Sequence, residues 1–417
     1  LLKMNKAFIV SLILPFHDHK DIDEECNEIK LLADTINYHV IDTFKQNISK
    51  INPSTYAGKG KVKDIINKAL ALNVNAIFIN DELKPSQLKN IKNLADGQIE
   101  IIDRTYLILN IFKQNAQTKE SKAQVKLATL EYLMPRLTGM WTHLERQMGG
   151  VGTRGGPGEK QIEIDRRIIR NEVKKLKKIL ISIGKQRINQ TKQRNDIFKV
   201  SLVGYTNAGK SSIFNKITGH NTLVKNQLFA TLETTTKRVV LPSKKQILLS
   251  DTVGFLRRLP HNLVASFRST LKEIQDSDLI IKVIDISSKN IDSHINTINN
   301  TLRELNAEKC KSVYVFNKID LINDKNIFIK INKTYNKPIM ISAYKNLKME
   351  ELYNKIDEIF IDSNNTYTIH LPHKDNIYIS FIYENATIIE RKNEYNYIRL
   401  KLSCSVVEYG RIIKKIS

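Results

Sequence analysis

The chain has 417 residues, of which 41% are hydrophobic and 26% charged; this usage excludes wholesale disorder, a collagen repeat and a coiled-coil rod. Its 66 Lys and Arg against 43 Asp and Glu leave a formal net charge of +23. Such a surface is expected to attract polyanions, nucleic acid or an anionic membrane, although a general abundance of lysine accounts for part of it. The length suits about two to four domains. Cys26, Cys310 and Cys404 lack disulfide or metal-ligand spacing, a pattern that suits a reducing compartment. No apolar run approaches the roughly 18 residues of a membrane span, so a soluble cytoplasmic protein is expected, with peripheral membrane association open.

Residues 7–14 form a continuous apolar run. It reads as a strand covered on both faces, and not as a leader, because it ends in Pro15-Phe16-His17-Asp18 without a small-residue cleavage site. Helical spacing follows over 21–36, a strand over 38–44, a helix over 62–72, a strand over 76–79, a helix over 85–95 with Pro85 in its first turn, and a strand over 99–102. This alternation predicts a parallel α/β sheet with right-handed crossovers. The polar loop over 52–61 holds Tyr56, Lys59 and Lys61 between glycines and reads as an exposed contact loop. From 104 to about 134 the pattern is helical throughout. A glycine-rich stretch over 149–158 cannot be regular structure, and a second long helix is expected over 159–194. Between Arg146 and Lys199 there are 15 Lys and Arg against 5 Asp and Glu, so the two helices read as a basic hairpin or arm. A second α/β series runs from 198 to about 361, and alternating segments near the end predict a small β-rich domain.

Gly204-Tyr205-Thr206-Asn207-Ala208-Gly209-Lys210-Ser211 fits the phosphate-binding loop G-x-x-x-x-G-K-[ST]. An apolar strand precedes it and a helical pattern follows, as the chemistry requires. Glycines let backbone N–H groups turn toward phosphates, and the helix N-terminus adds a favourable dipole. Lys210 can reach the β- and γ-phosphates and Ser211 can ligate Mg²⁺. Asp251-Thr252-Val253-Gly254 ends a later apolar strand; there an acid can hold Mg²⁺ through water and the Gly254 N–H can meet the γ-phosphate. Asn317-Lys318-Ile319-Asp320 follows another strand, and the Asp320 carboxylate can accept from the two adjacent donors of guanine. Adenine lacks that pair and would leave the carboxylate unpaired. Ser342-Ala343-Tyr344 can close on the base. Four motifs in this order predict guanine-nucleotide binding, with Lys210 and Gly254 as the residues acting on the reacting phosphate.

The flanking residues resemble one GTPase family. Gly150-Val151-Gly152-Thr153-Arg154-Gly155-Gly156-Pro157-Gly158-Glu159 before the G domain, Tyr132-Leu133-Met134-Pro135-Arg136-Leu137, Trp141-Thr142-His143-Leu144 and Phe229-Ala230-Thr231-Leu232 are similar to the signatures of the HflX family. The resemblance covers nearly the whole chain. It implies a GTPase that binds the large ribosomal subunit and splits or rescues stalled ribosomes under stress, with Mg²⁺ as cofactor. Other classes left open are a GTPase acting on another RNA, in tRNA modification or ribosome assembly, and a non-enzymatic GTP sensor. The switch segment departs from the family's usual F-A-T-L-D-P-T-T-R, with Glu233, Thr234 and Lys237 in place of Asp, Pro and Arg. Thr231 is the expected Mg²⁺ ligand, with Thr235 and Thr236 as alternatives. Phe255 stands where Ras-like enzymes place a water-orienting Gln. Either a partner supplies the missing order, or Phe255 is a packing residue and water is positioned elsewhere; both fit slow hydrolysis alone and faster hydrolysis on ribosomes.

The expected architecture is therefore α/β and multidomain. It comprises an N-terminal parallel α/β domain (1–112), a basic helical arm with a glycine-rich loop (113–196), a P-loop G domain (197–362) and a small β-rich domain (363–417), in a chain expected to be a monomer. Tyr56, Lys59, Lys61, Arg154, Arg166, Arg167 and Arg170 are the expected ribosomal RNA contacts, with Tyr56 or Trp141 stacking on an unpaired base or serving as packing aromatics.

Overall fold

The computed structural model describes residues 4–16, 19–139, 161–191, 197–219, 228–229, 234–242, 244–257, 273–363, 365–404 and 406–416. The glycine-rich stretch, Trp141, Arg154 and the switch residues Ala230 to Glu233 lie outside them.

β1 (Asn5–Ile13) is buried at every position from Ala7 onward, which is why its sequence does not alternate. It lies between β2 (Tyr38–Asn47) and β3 (Ala76–Ile79), with β4 (Glu100–Asp103) beyond, in an all-parallel sheet of order β2-β1-β3-β4. Helices α2 (Lys59–Ala71) and α3 (Pro85–Leu94) cover one face, where Val62, Ile65, Leu88 and Ile91 meet Phe8 and Val10. On the other face α1 (His19–Thr35) and α4 (Arg104–Asn115) bring Ile22, Ile29, Ile108 and Ile111 onto Ala7, Ile9 and Phe78.

The helical run over 104–134 is two helices. Asp103 caps α4 by accepting from Tyr106 N at 2.8 Å. Thr118 caps α5 (Lys119–Leu133) by accepting from Ser121 N at 3.1 Å. These local side-chain bonds compete with helix continuation and set the break. α6 (Gln161–Thr191) packs on α5 through Ile169, Val173 and Leu176 against Ala123, Leu127 and Leu130.

The G domain is a six-stranded sheet built from β5 (Phe198–Gly204), β6 (Thr235–Val240), β7 (Gln246–Asp251), β8 (Leu279–Asp285), β9 (Lys311–Asn317) and β10 (Ile339–Met340). The order is β10-β9-β8-β5-β7-β6, parallel except for β6 against β7. Helices α7 (Lys210–Thr218), α8 (Ile291–Glu304), α9 (Lys325–Thr334) and α10 (Met349–Ser363) accompany it. The last domain is an antiparallel sheet β11-β13-β12 (Asn365–Pro372, Tyr397–Cys404, Thr387–Asn393), backed by α11 (Ile379–Asn385) and α12 (Val406–Ile416).

The α1/α4 face of the N-terminal domain is docked on the G domain. Ile22, Leu107, Ile111 and Phe112 share one continuous apolar core with Val203, Phe229, Val253, Phe255 and Leu256. Phe112 and Phe229 meet edge to face, with ring centroids 4.8 Å apart, a geometry aromatic pairs favour.

Candidate nucleotide site and domain interface

Carboxyl ends of parallel strands leave loops on one edge of the sheet, where ligands of α/β folds bind. The four motifs all end on that edge. The phosphate loop follows β5, and α7 begins at Lys210, so its first N–H groups face the loop. Gly209 sits at φ 91° and a Cβ there would overlap Asn317 Nδ2; the position needs glycine both for conformation and for space.

Lys210 is buried, and its ammonium donates to the loop carbonyls of Gly204 at 3.1 Å and Tyr205 at 2.9 Å. Burial pushes its pKa down to about 8, against the opposing pull of Asp251. β7 runs beside β5 with Asp251 opposite Leu202, which brings Asp251 Oδ2 within 2.7 Å of the Ser211 hydroxyl that donates to it. Three residues on, a Cβ at Gly254 would stand 2.8 Å from Thr206 Cγ2 and 3.1 Å from Lys210 Nζ. The two phosphate motifs therefore converge on one ammonium. Thr252 is turned away, its hydroxyl donating to Leu202 O at 2.7 Å.

The candidate base-reading motifs are joined to the loop by one side chain. Asn317, 2% exposed, donates to Ala208 O at 3.0 Å and accepts from Ala343 N at 3.0 Å. Lys318 pairs with Asp285 at 2.7 Å, and Ile319 N donates to Ile341 O at 3.2 Å. Asp320 Oδ1 is buried and has no hydrogen-bond partner among the described residues, an orphaned acceptor of the kind that normally needs a donor. Ser342 is fully buried and its hydroxyl accepts from Lys345 N at 3.0 Å, while Tyr344 is 85% exposed. Thr235 and Thr236 begin β6, and the Thr236 hydroxyl is shared between Ser250 at 2.9 Å and Glu273 at 3.0 Å.

Phe255 is 3% exposed and its backbone bridges the phosphate loop: Thr206 N donates to Phe255 O and Phe255 N to Gly204 O, both at 2.9 Å. Its ring belongs to the interdomain core, so the structure favours the packing role over a ring beside the phosphate.

A buried polar cluster at this interface has no counterpart in any motif. Glu28 on α1 accepts from the Tyr205 hydroxyl and from Arg104. Arg104 also donates to Asn80 Oδ1 and to Arg257 O, both at 3.1 Å. Arg257 N donates to the Tyr205 hydroxyl at 3.2 Å, and the Arg257 guanidinium holds Asp21 at 3.1 Å and Glu24 at 2.6 Å. His294 stacks on the Tyr205 ring with centroids 4.0 Å apart. Burial pushes the Glu28 carboxyl up, opposed by Arg104 and by the Tyr205 hydroxyl. Burial likewise holds His294 below its usual range. No spacing signal links positions 28, 104, 205 and 257; the only hint was a tyrosine in a variable position of the phosphate loop.

The expected RNA contacts divide. Lys59, Lys61, Arg167 and Arg170 are exposed and Arg166 is half-buried. Tyr56 corrects the reading of an exposed stacking residue: it is 2% exposed, stands at φ 68° and donates to Asp81 beneath the loop. The loop folds its tyrosine inward because that ring fills the core against Val62, Ile65 and Ile79.

Family models match three consecutive stretches: a GTP-binding GTPase N-terminal region over residues 23–113, a GTP-binding GTPase middle region over 115–194, and a 50S ribosome-binding GTPase over 199–318. A GTPase HflX of Magnetococcus marinus is 37% identical, covering 98% of this chain and 94% of that protein. The chain belongs to the HflX family of GTPases. The HflX protein of Flavobacterium psychrophilum is 40% identical over 87% of each chain. A GTP-binding protein from Sulfolobus solfataricus solved with GDP is 27% identical, covers 85% of this chain and 98% of that one, and has a TM-score of 0.45. As an HflX GTPase the protein binds GTP and GDP and hydrolyses GTP. No helix among the described residues is long and apolar enough to cross a membrane.

Proposed function

We propose that this HflX GTPase binds the large ribosomal subunit and uses GTP to split or rescue stalled ribosomes. The observation that carries the reading is the match of residues 199–318 to a 50S ribosome-binding GTPase, inside a chain that matches HflX proteins nearly end to end. The net charge of +23 and the exposed cations of α6 support an RNA partner.

Lys210 and the loop amides hold the β- and γ-phosphates, and the Gly254 N–H meets the γ-phosphate. Asp320 reads guanine with the oxygen that is otherwise orphaned. The Ser211 and Asp251 oxygens, 2.7 Å apart, are hard donors that fit Mg²⁺; Ser211 would ligate it directly and Asp251 through water, with Thr231 completing the set. When bound, the ion neutralises phosphate charge. Thr236, whose hydroxyl is engaged by Ser250 and Glu273, is left out of that set. With Phe255 buried, no side chain directly after Gly254 orients water, and hydrolysis alone is slow. Arg257, three residues beyond Gly254, is bound to Asp21 and Glu24 on α1. A γ-phosphate that draws in Gly254 therefore pulls on the N-terminal domain, and a ribosome that moves that domain acts back on the site.

The test is GTP turnover with and without purified large subunits, with tRNA in parallel. Acceleration by large subunits supports the reading. No acceleration overturns it, and acceleration by tRNA alone assigns the enzyme to another RNA.

A further inference from the structure

β13 is the central strand of the C-terminal sheet, so its outward residues have neighbours on both sides. The register sets Thr368, Lys401 and Glu390 in one row across the three strands and His370, Arg399 and Lys392 in the next. All six are exposed. The opposite face is closed, with Ile369, Leu371, Leu400 and Leu402 packed in one core with Ile382 and Ile412. Glu390 pairs with Lys392 at 2.9 Å. Its carboxyl is held below the usual range by Lys392 first, then by the fields of Arg399 and Lys401. Neither the Arg399 nor the Lys401 side chain has a hydrogen-bond or ion-pair partner among the described residues. The Tyr397 ring, 4.7 Å from that of His370, adds an aromatic edge to the cationic row.

We propose that this open sheet face binds a single-stranded segment of RNA. Adjacent strands lie about 4.8 Å apart and alternate residues of one strand about 6.7 Å apart, so Lys392, Arg399 and Lys401 can each meet a separate phosphate. The His370–Tyr397 pair offers stacking surface to a base, the combination that single-strand binders use. A broad flat sheet cannot enter the deep, narrow major groove of duplex RNA. An anionic membrane is the weaker fit, because a surface that lies in a membrane presents apolar side chains and neither row carries an outward aliphatic one. This contact would exist whether or not the ribosome is what stimulates hydrolysis.

The experiment uses the full chain and a fluorescent oligouridine of about twelve nucleotides, a length within the range that single-strand-binding sites cover, titrated by anisotropy at several salt concentrations. The triple variant Lys392→Ala, Arg399→Ala, Lys401→Ala should bind about tenfold or more weakly, with the salt slope reduced by about 2, near 0.7 for each lost phosphate contact. Its GTP turnover should match the parent, and the charge-preserving pair Arg399→Lys, Lys401→Arg should retain affinity. The proposal is overturned if the parent does not bind the oligomer, or if the triple variant keeps both affinity and slope. It is also overturned if the triple variant loses binding to phosphatidylserine vesicles while its RNA binding stays intact.

Discussion

Replacing Glu28 by alanine removes the anion at the centre of the interface between the N-terminal and G domains. Arg104, 3% exposed, would keep Asn80 Oδ1 and the Arg257 carbonyl but lose the one carboxylate it pairs with among the described residues. Breaking a buried pair by removing one partner costs about 3–5 kcal/mol. The Tyr205 hydroxyl loses its acceptor in the same step, a further penalty of about 1–3 kcal/mol if it stood alone. The two groups share one partner, so the effects do not add, and the expected loss is about 3–5 kcal/mol. The double variant Glu28→Leu, Arg104→Met removes both charges and should recover most of that loss, because an apolar pair of similar volume often matches a buried ion pair. Urea unfolding followed by circular dichroism measures both, and limited proteolysis reports whether the domains have separated. If Glu28→Ala falls within about 1 kcal/mol of the parent, or the double variant is no better than the single, Glu28 does not hold this interface.

Asp320→Asn should weaken GTP by about a hundredfold or more, since bonds to a charged group contribute about 1.5–3 kcal/mol each, and should improve binding of xanthosine triphosphate; parallel titrations decide, and an unchanged GTP affinity removes Asp320 from base reading. Burial holds the Lys210 pKa near 8, below the usual lysine range, so the ammonium is present below that pH and lost above it. GTP affinity should therefore fall as the pH rises through about 8, and a flat profile would show that the phosphates do not depend on this proton. Gly254→Ala should abolish turnover, because its Cβ would stand 2.8 Å from Thr206 Cγ2 and 2.9 Å from the Thr206 Cα and must displace the phosphate loop; wild-type turnover would mean that the close approach of the two phosphate motifs is not needed.

The candidate nucleotide motifs are legible in the sequence because each is local. A phosphate loop is a contiguous strand, turn and helix start whose chemistry follows from glycine conformations and one lysine, so the strand and helix that flank 204–211 can be read from residue types alone, as can the strands that end at Asp251 and Asn317. The uninterrupted apolar run of β1 likewise announced a strand with two covered faces. Helix breaks are harder, since the caps at Asp103 and Thr118 depend on which way one short side chain turns, and the sequence leaves Tyr56 open between stacking and packing because a polar neighbourhood does not reveal an inward ring. The docking of α1 and α4 on the phosphate loop lay wholly beyond sequence. Glu28, Arg104, Tyr205 and Arg257 come from four separated stretches, and their pairing is energetically meaningful only once tertiary packing has removed the water between them; burial turns four unremarkable polar residues into one coupled cluster.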